Sequence, residues 1–192
     1  MSVEGNKLKY EKIALIGIGN IMFYDEGLGA YLVKYIEENY QIPDNLLVLE
    51  GGTLGFGLMT YYQEYDKIIV VGVGSNEGEV GAITIESAQD IISKSPICKT
   101  ANEVEIAMMI EICSFHEDMG DVQLITMVPE DIIDVRNGLT ETVLAHMPKL
   151  VDATVKELEK SGVTLKEKAD KVSFEEIIEV YANPKQIFDY AV

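Results

Sequence analysis

The sequence is short of positive charge. Its 192 residues carry 15 Lys and Arg against 33 Asp and Glu, a formal charge of −18, and such a surface repels the phosphates of nucleic acids and anionic lipids. Nucleic-acid binding is excluded on that ground. The excess of acid either keeps the protein soluble or serves a particular partner. Cysteine is scarce too: Cys98 and Cys113 have no C-x-x-C spacing, so both read as small apolar residues of a reducing compartment rather than metal ligands. The opening stretch MSVEGNKLKYEK has no apolar leader, and runs such as IIVVGVG are far shorter than the ~20 residues a bilayer helix needs. No repeat or low-complexity tract interrupts the chain. These absences predict a single-domain cytoplasmic protein with no membrane segment.

What is present is an alternation of two periods. Ile13 to Gly17, Leu46 to Leu49, Ile68 to Val73 and Val122 to Val128 are short Ile/Val/Leu runs bounded by Gly, Pro or acids, the pattern of strands buried on both faces of a parallel sheet. GEVGAITI, Gly78 to Ile85, offers a further strand after a tight turn. Between the runs, Gly29 to Tyr40 repeats apolar residues at Leu32, Val33, Ile36 and Tyr40, and Glu103 to Phe115 does so at Ile106, Met109, Ile110 and Cys113, which is helical spacing. A last long helix is expected from about Thr140 to Lys160, kinked or divided by Pro148 and stopped at Gly162. Strands alternating with helices over short connections predict a three-layer α/β/α fold with a doubly wound, mostly parallel central sheet. Past Leu165 a charged linker precedes a short helix that Ser173 would cap. That tail either packs on its own domain or docks a partner, a second copy included.

The stretch IALIGIGNIMFYDEGLGAYL opens like a nucleotide site. A dinucleotide fingerprint needs G-x-G-x-x-G with the helix N-terminus facing phosphate. Gly17 and Gly19 fit, but Met22 stands at the third glycine, and Asp25 and Glu26 put two carboxylates where the anion would lie. Like charges oppose an anionic ligand there. No nucleotide cofactor is expected; a cation or an amide substrate suits the mouth better.

GIGNIMFYDEGLGAYL resembles the opening G-x-G-N…D-[DE]-G-x-G of the hydrogenase maturation endopeptidases, and EGGTLGFGLM, Glu50 to Met59, resembles their second signature, usually written with aspartate at Glu50. ITMVPEDI and GLTETVLAHMPKLVDATVKELEKSGV resemble the last core strand, proline turn and terminal helix of the same family. The likeness spans roughly residues 11–163, leaving 164–192 as the linker and short C-terminal helix. It implies removal of a C-terminal extension from the precursor of the nickel–iron hydrogenase large subunit, with nickel carried by that substrate. The alternative is a catalytically impaired homologue that binds the precursor as a chaperone.

By that resemblance Glu26 is the first of three metal-binding side chains and a catalytic candidate, with Asp25 assisting it or merely capping the helix that begins near Gly27. A carboxylate at a strand–helix junction can bind a divalent ion or orient a water. Gly51, Gly52 and Thr53 become a substrate-binding turn, and Met22, Phe23, Leu54, Phe56 and Met59 an apolar groove. The second and third metal positions depart from the family: Gly72 falls where an aspartate is expected, and Asn102, or Ala101 in a register one residue shorter, where a histidine is expected. Neither glycine nor an amide replaces such a ligand. The only histidines, His116 and His146, read as helix-end or surface residues. Glu77, Glu79 and Glu103 could supply oxygen ligands to a harder ion.

Overall fold

The computed structural model of the protein describes residues 9–74, 78–93, 101–114 and 119–183. β1 (Ile13–Ile18) leads through a 3-10 turn (Tyr24–Gly27) into α1 (Leu28–Asn39), followed by β2 (Tyr40–Gln41) and β3 (Leu46–Gly52). A second 3-10 turn (Gly55–Leu58) enters α2 (Met59–Glu64), then β4 (Lys67–Val73), β5 (Ile83–Ser87), α3 (Ala88–Ser93) and α4 (Ala101–Ser114). β6 (Asp121–Met127), α5 (Glu141–Lys160), β7 (Lys166–Glu167) and α6 (Phe174–Ala182) complete the described chain.

The main sheet has the order β3-β1-β4-β6-β5. β3, β1, β4 and β6 are parallel, and β5 runs antiparallel on the β6 edge. Every residue of β1 and β4 is buried, which is why both read as unbroken apolar runs. Side chains alternate between two cores. On one face Leu28, Leu32 and Ile36 of α1 and Val143, Met147 and Leu150 of α5 cover Ile13, Leu15, Ile69 and Val71. On the other, Tyr62 of α2 and Ile106, Met109 and Ile110 of α4 cover Ala14, Ile16, Ile68 and Val70. The expected three-layer, doubly wound architecture is the one observed, and each fully buried aliphatic contributes ~1.5–3 kcal/mol. No helix of the described residues is long and apolar enough to cross a membrane.

Three local expectations change. The fifth strand begins at Ile83 rather than Gly78, because the chain is still turning through Gly81 at φ 85. α5 is continuous through Pro148, which is exposed, so water can serve the carbonyl that lacks an amide partner. The charged linker does not run free: β7 pairs antiparallel with β2. The buried Asn39 donates to the Val172 carbonyl and accepts from the Val172 amide. Ser173 caps α6 in a reciprocal box with Glu176, Phe174 stacks on Tyr35 at 4.3 Å, and Ile177 is buried. Of the two expectations for the tail, α6 follows the first: its Phe174 and Ile177 pack on the chain's own core at α1.

The strand order reverses beside β1, since the chain passes from β1 to β3 on one side and then to β4 on the other. Ligand crevices of open α/β sheets form at the carboxyl ends of such strands. Here that edge carries the glycine turn, Asp25, Glu26 and the Gly51–Thr53 turn.

Candidate active site

Two glycines bring the first and second motifs together. Gly19 leaves β1 at φ 131, and a Cβ on it would lie 1.8 Å from the Glu26 carbonyl oxygen, so no other residue lets the 3-10 turn fold back this closely. The Gly19 amide donates to the Gly52 carbonyl at 3.0 Å. Gly52 itself has φ 49 and no atom within 4 Å of where a Cβ would stand. Its backbone therefore faces open space, as an approaching chain requires. The close helix-on-strand contact that a third fingerprint glycine would supply is made by Gly29, whose Cβ would meet the Ile18 and Val71 carbonyls at 2.3 and 2.4 Å.

Asp25 is fully buried. Its Oδ2 accepts from the Glu130 and Asp131 amides, both at 3.0 Å, and from the Thr140 hydroxyl at 3.1 Å; its Oδ1 accepts from the Thr140 amide at 2.7 Å. Four donors converge on one carboxylate, which ties the 128–140 loop to the first crossover. Thr140 then caps α5, accepting from the Val143 amide. The helix after Gly27 has no side-chain cap. Asp25 therefore neither caps α1 nor faces the mouth: it acts through the loop it holds.

Glu26 is half-buried, and burial pushes its carboxyl above the ordinary glutamate range. A desolvated carboxylate binds a proton or a cation more avidly than an exposed one. Exposed apolar side chains stand on the segments that carry the two motifs and on the 128–140 loop: Met22 is 50% exposed, Leu54 58%, Phe56 47%, Ile133 82% and Val135 71%. Of the five groove residues expected from sequence, Phe23 and Met59 are the partly buried pair, with Met59 packing into the α2/α4 core.

The 128–140 loop packs on the first crossover through Asp25 and lines an open groove of about 1040 Å³ with Tyr24, Glu141 and Thr142, a groove whose lining includes neither Glu26 nor Gly51–Thr53. Tyr24 is held at φ 51, a conformation costing ~1 kcal/mol or more in a non-glycine residue. Its amide donates to the Arg136 carbonyl at 2.9 Å, and the Arg136 guanidinium lies 5.1 Å from its ring centre. Neither residue carried a recognisable signal, since the partners are far apart in sequence.

Among the described residues no side chain takes the place of the expected second and third metal ligands. Gly72 lies in β4, and a Cβ there would stand 2.7 Å from Cγ1 and 3.1 Å from Cδ1 of Ile18; an isoleucine fills the space an aspartate would need. Asn102 lies at the start of α4, with its side chain outside the described residues, as are Glu103, Glu77, His116 and Cys98. Glu79 is exposed. His146 donates its Nδ1–H to the Thr142 carbonyl at 2.8 Å and packs its ring on Gly81, a structural role. Among the described residues no group of three His, Cys, Asp or Glu could hold a metal. The described residues of the site do not present three ligands for a protein-bound metal.

Comparisons with known proteins agree on one family. The hydrogenase maturation protease model matches residues 30–157, which contain Gly51, Gly52, Thr53 and Gly72 and begin just after Glu26. The hydrogenase expression/formation protein HupD of Bradyrhizobium diazoefficiens is 29% identical over 161 residues, 80% of this chain and 81% of that protein. The hydrogenase 2 maturation protease of Escherichia coli is 25% identical over 154 residues, covering 79% and 93% of the two chains. In solved structures, the E. coli hydrogenase maturating endopeptidase HybD matches with TM-score 0.76 and 25% identity over 83% of this chain and 99% of that one. The sheet order, the crevice beside β1 and these matches lead to one conclusion: the chain belongs to the hydrogenase maturation protease family of peptidases.

Proposed function

We propose that this protein is the endopeptidase that removes the C-terminal extension from a nickel–iron hydrogenase large-subunit precursor, with nickel entering as part of the substrate. One observation carries the reading: the half-buried Glu26, whose backbone packs on Gly19, lies at the same carboxyl edge of the sheet as the Gly52 backbone, which accepts the Gly19 amide and faces open space. An extended segment of precursor lies along Gly51–Thr53, where backbone groups and the Thr53 hydroxyl bind it as amide partners. Met22, Leu54 and Phe56 cover its apolar side chains. Glu26 holds the hydrolytic water by accepting its proton in a hydrogen bond, so that hydroxide character develops toward the scissile carbonyl while the leaving amine takes up the proton. Asp25 is a positioning residue in this scheme, fixing the facing loop. No nucleotide cofactor enters, and no step runs through a protein-bound metal. Net charge of −18 favours encounter with a basic face of the precursor, and added salt slows it.

A second reading, a precursor-binding protein without cleavage, is favoured by Ile18 in the place of the side chain missing at Gly72. Incubation with a nickel-loaded precursor followed by intact mass separates the two. Loss of the C-terminal extension supports the endopeptidase; stable association with an unshortened precursor replaces it by the binder.

A further inference from the structure

α6 lies beyond the family match, which ends at residue 157, and yet it touches both walls of the mouth. On one side the Tyr181 hydroxyl donates to Glu50 Oε2 at 2.5 Å. Glu50 is the β3 residue immediately before the Gly51–Thr53 turn, in register with Gly17 of β1. On the other side Ile178 lies against Gly138 of the facing loop, where a Cβ would meet its Cγ2 at 3.5 Å. Tyr31 of α1 joins the two contacts: its ring meets the Tyr181 ring edge-on at 5.5 Å, and its hydroxyl accepts from the Gly138 amide at 3.1 Å.

The contact is built rather than incidental. Tyr181 sits in the last turn of a helix whose start is fixed by the Ser173–Glu176 capping box and whose inner face is anchored by Phe174 on Tyr35. The phenol is thereby brought to Glu50 with little rotamer freedom left. A neutral donor on a carboxylate is a charge-assisted bond, stronger than an ordinary hydrogen bond, and burial together with the Glu50 charge pushes the phenol far above its usual range.

Glu50 is otherwise exposed, at the end of a strand whose next residues turn through positive φ at Gly52 and Gly55. Left alone, such a turn samples several conformations. We propose that Tyr181 is a positioning residue of the substrate site: through Glu50 it holds the Gly51–Thr53 turn in its binding conformation, so that the C-terminal segment completes one wall of the mouth. The inference rests on the endopeptidase reading for its consequence, slower capture of precursor.

Two readouts test it. The first needs no substrate: amide hydrogen exchange at Leu54, whose N–H donates to the Gly51 carbonyl at 3.0 Å. Tyr181→Phe keeps the ring packing and removes only the donor. It is expected to speed exchange across 51–54 by about tenfold while the β4 and β6 amides stay as in the wild type. Glu50→Ala is expected to do the same, and Glu50→Gln, which still offers the phenol an acceptor, to exchange like the wild type. The second readout is kinetic: Tyr181→Phe raises KM for nickel-loaded precursor about five- to tenfold with kcat nearly unchanged. Unaltered exchange at 51–54 in Tyr181→Phe, or an equal acceleration throughout the sheet, overturns the positioning role. If exchange responds as expected but the wild-type protein leaves the precursor at full length, the endopeptidase reading falls and the positioning of the turn stands.

Discussion

A cavity opens at each end of the parallel sheet, and the two are built on opposite principles. At the amino end, Lys9, Tyr10, Asp66 and Asp121 line a hollow of about 460 Å³ whose polar groups answer one another. Lys67 pairs with Asp121 at 3.2 Å, Tyr10 donates to Asp121, and Asp66 accepts the Glu11 and Lys12 amides, both at 2.8 Å. At the carboxyl end, acids and exposed apolar side chains share a rim, Gly52 turns its backbone to open space, and burial raises Glu26. Polar groups satisfied within the chain stabilise a fold. A carboxylate raised by burial and a backbone open to space at the same edge of the sheet suit something that arrives.

Mutations at the two ends should therefore part along the same line. The largest effect expected is on chemistry: Glu26→Gln lowers precursor processing at least about a hundredfold, measured by intact mass, and leaves precursor binding within a few-fold. Survival of full processing would remove Glu26 from the mechanism. Next is Asp25→Asn, which places an amide NH2 against a nest of backbone donors. It should cost about 3 kcal/mol and lower the melting temperature by roughly 6–12 °C, with processing lost because the 128–140 loop comes loose. Gly72→Asp should destabilise by ~2 kcal/mol through its collision with Ile18, and nickel calorimetry should show no gain in affinity; restored tight binding would contradict the filled corner.

At the amino end, Asp121→Asn weakens the pair with the largely buried Lys67 and should cost about 1 kcal/mol, given how exposed the carboxylate is. Processing should be unchanged. A loss of activity without loss of stability would break the contrast between the two cavities. The smallest effect concerns pH. Glu26 is raised by burial, so the folded state binds its proton more tightly than the unfolded chain does. That contribution to stability is full below the ordinary glutamate value and is lost as pH rises through the raised one. Glu26→Gln should accordingly be slightly more stable than the wild type at pH 7, in thermal melts, with the gap closing as pH falls toward the ordinary glutamate range.

The reading of Asp25 shows where sequence ceased to inform. Its neighbour in the chain is Glu26, and adjacency made the two look like one catalytic pair. Its actual partners, Glu130, Asp131 and Thr140, are more than a hundred residues away, and nothing in DEG marks which carboxylate turns inward. The apolar stripe of α6 was legible, but not its occupant: only packing revealed that α1 covers it and that Tyr181 reaches Glu50. Pro148 looked like a breaker because it has no amide hydrogen to give the preceding turn; the helix runs on through it at an exposed position.

The main strands and the α1, α4, α5 and α6 helices were settled by the sequence itself, because burial on two faces forces unbroken Ile/Val/Leu runs and burial on one face forces a helical stripe, and both periods are written residue by residue; the short α2, α3, β2 and β7 were not. The glycine turn and the Gly51–Thr53 element were settled the same way, since only glycine tolerates those backbones. Which carboxylate props a loop, what fills the space beside Gly72 and how the last helix meets the mouth were left to the tertiary structure. Those outcomes depend on distances between residues far apart along the chain, and a linear string records no such distances.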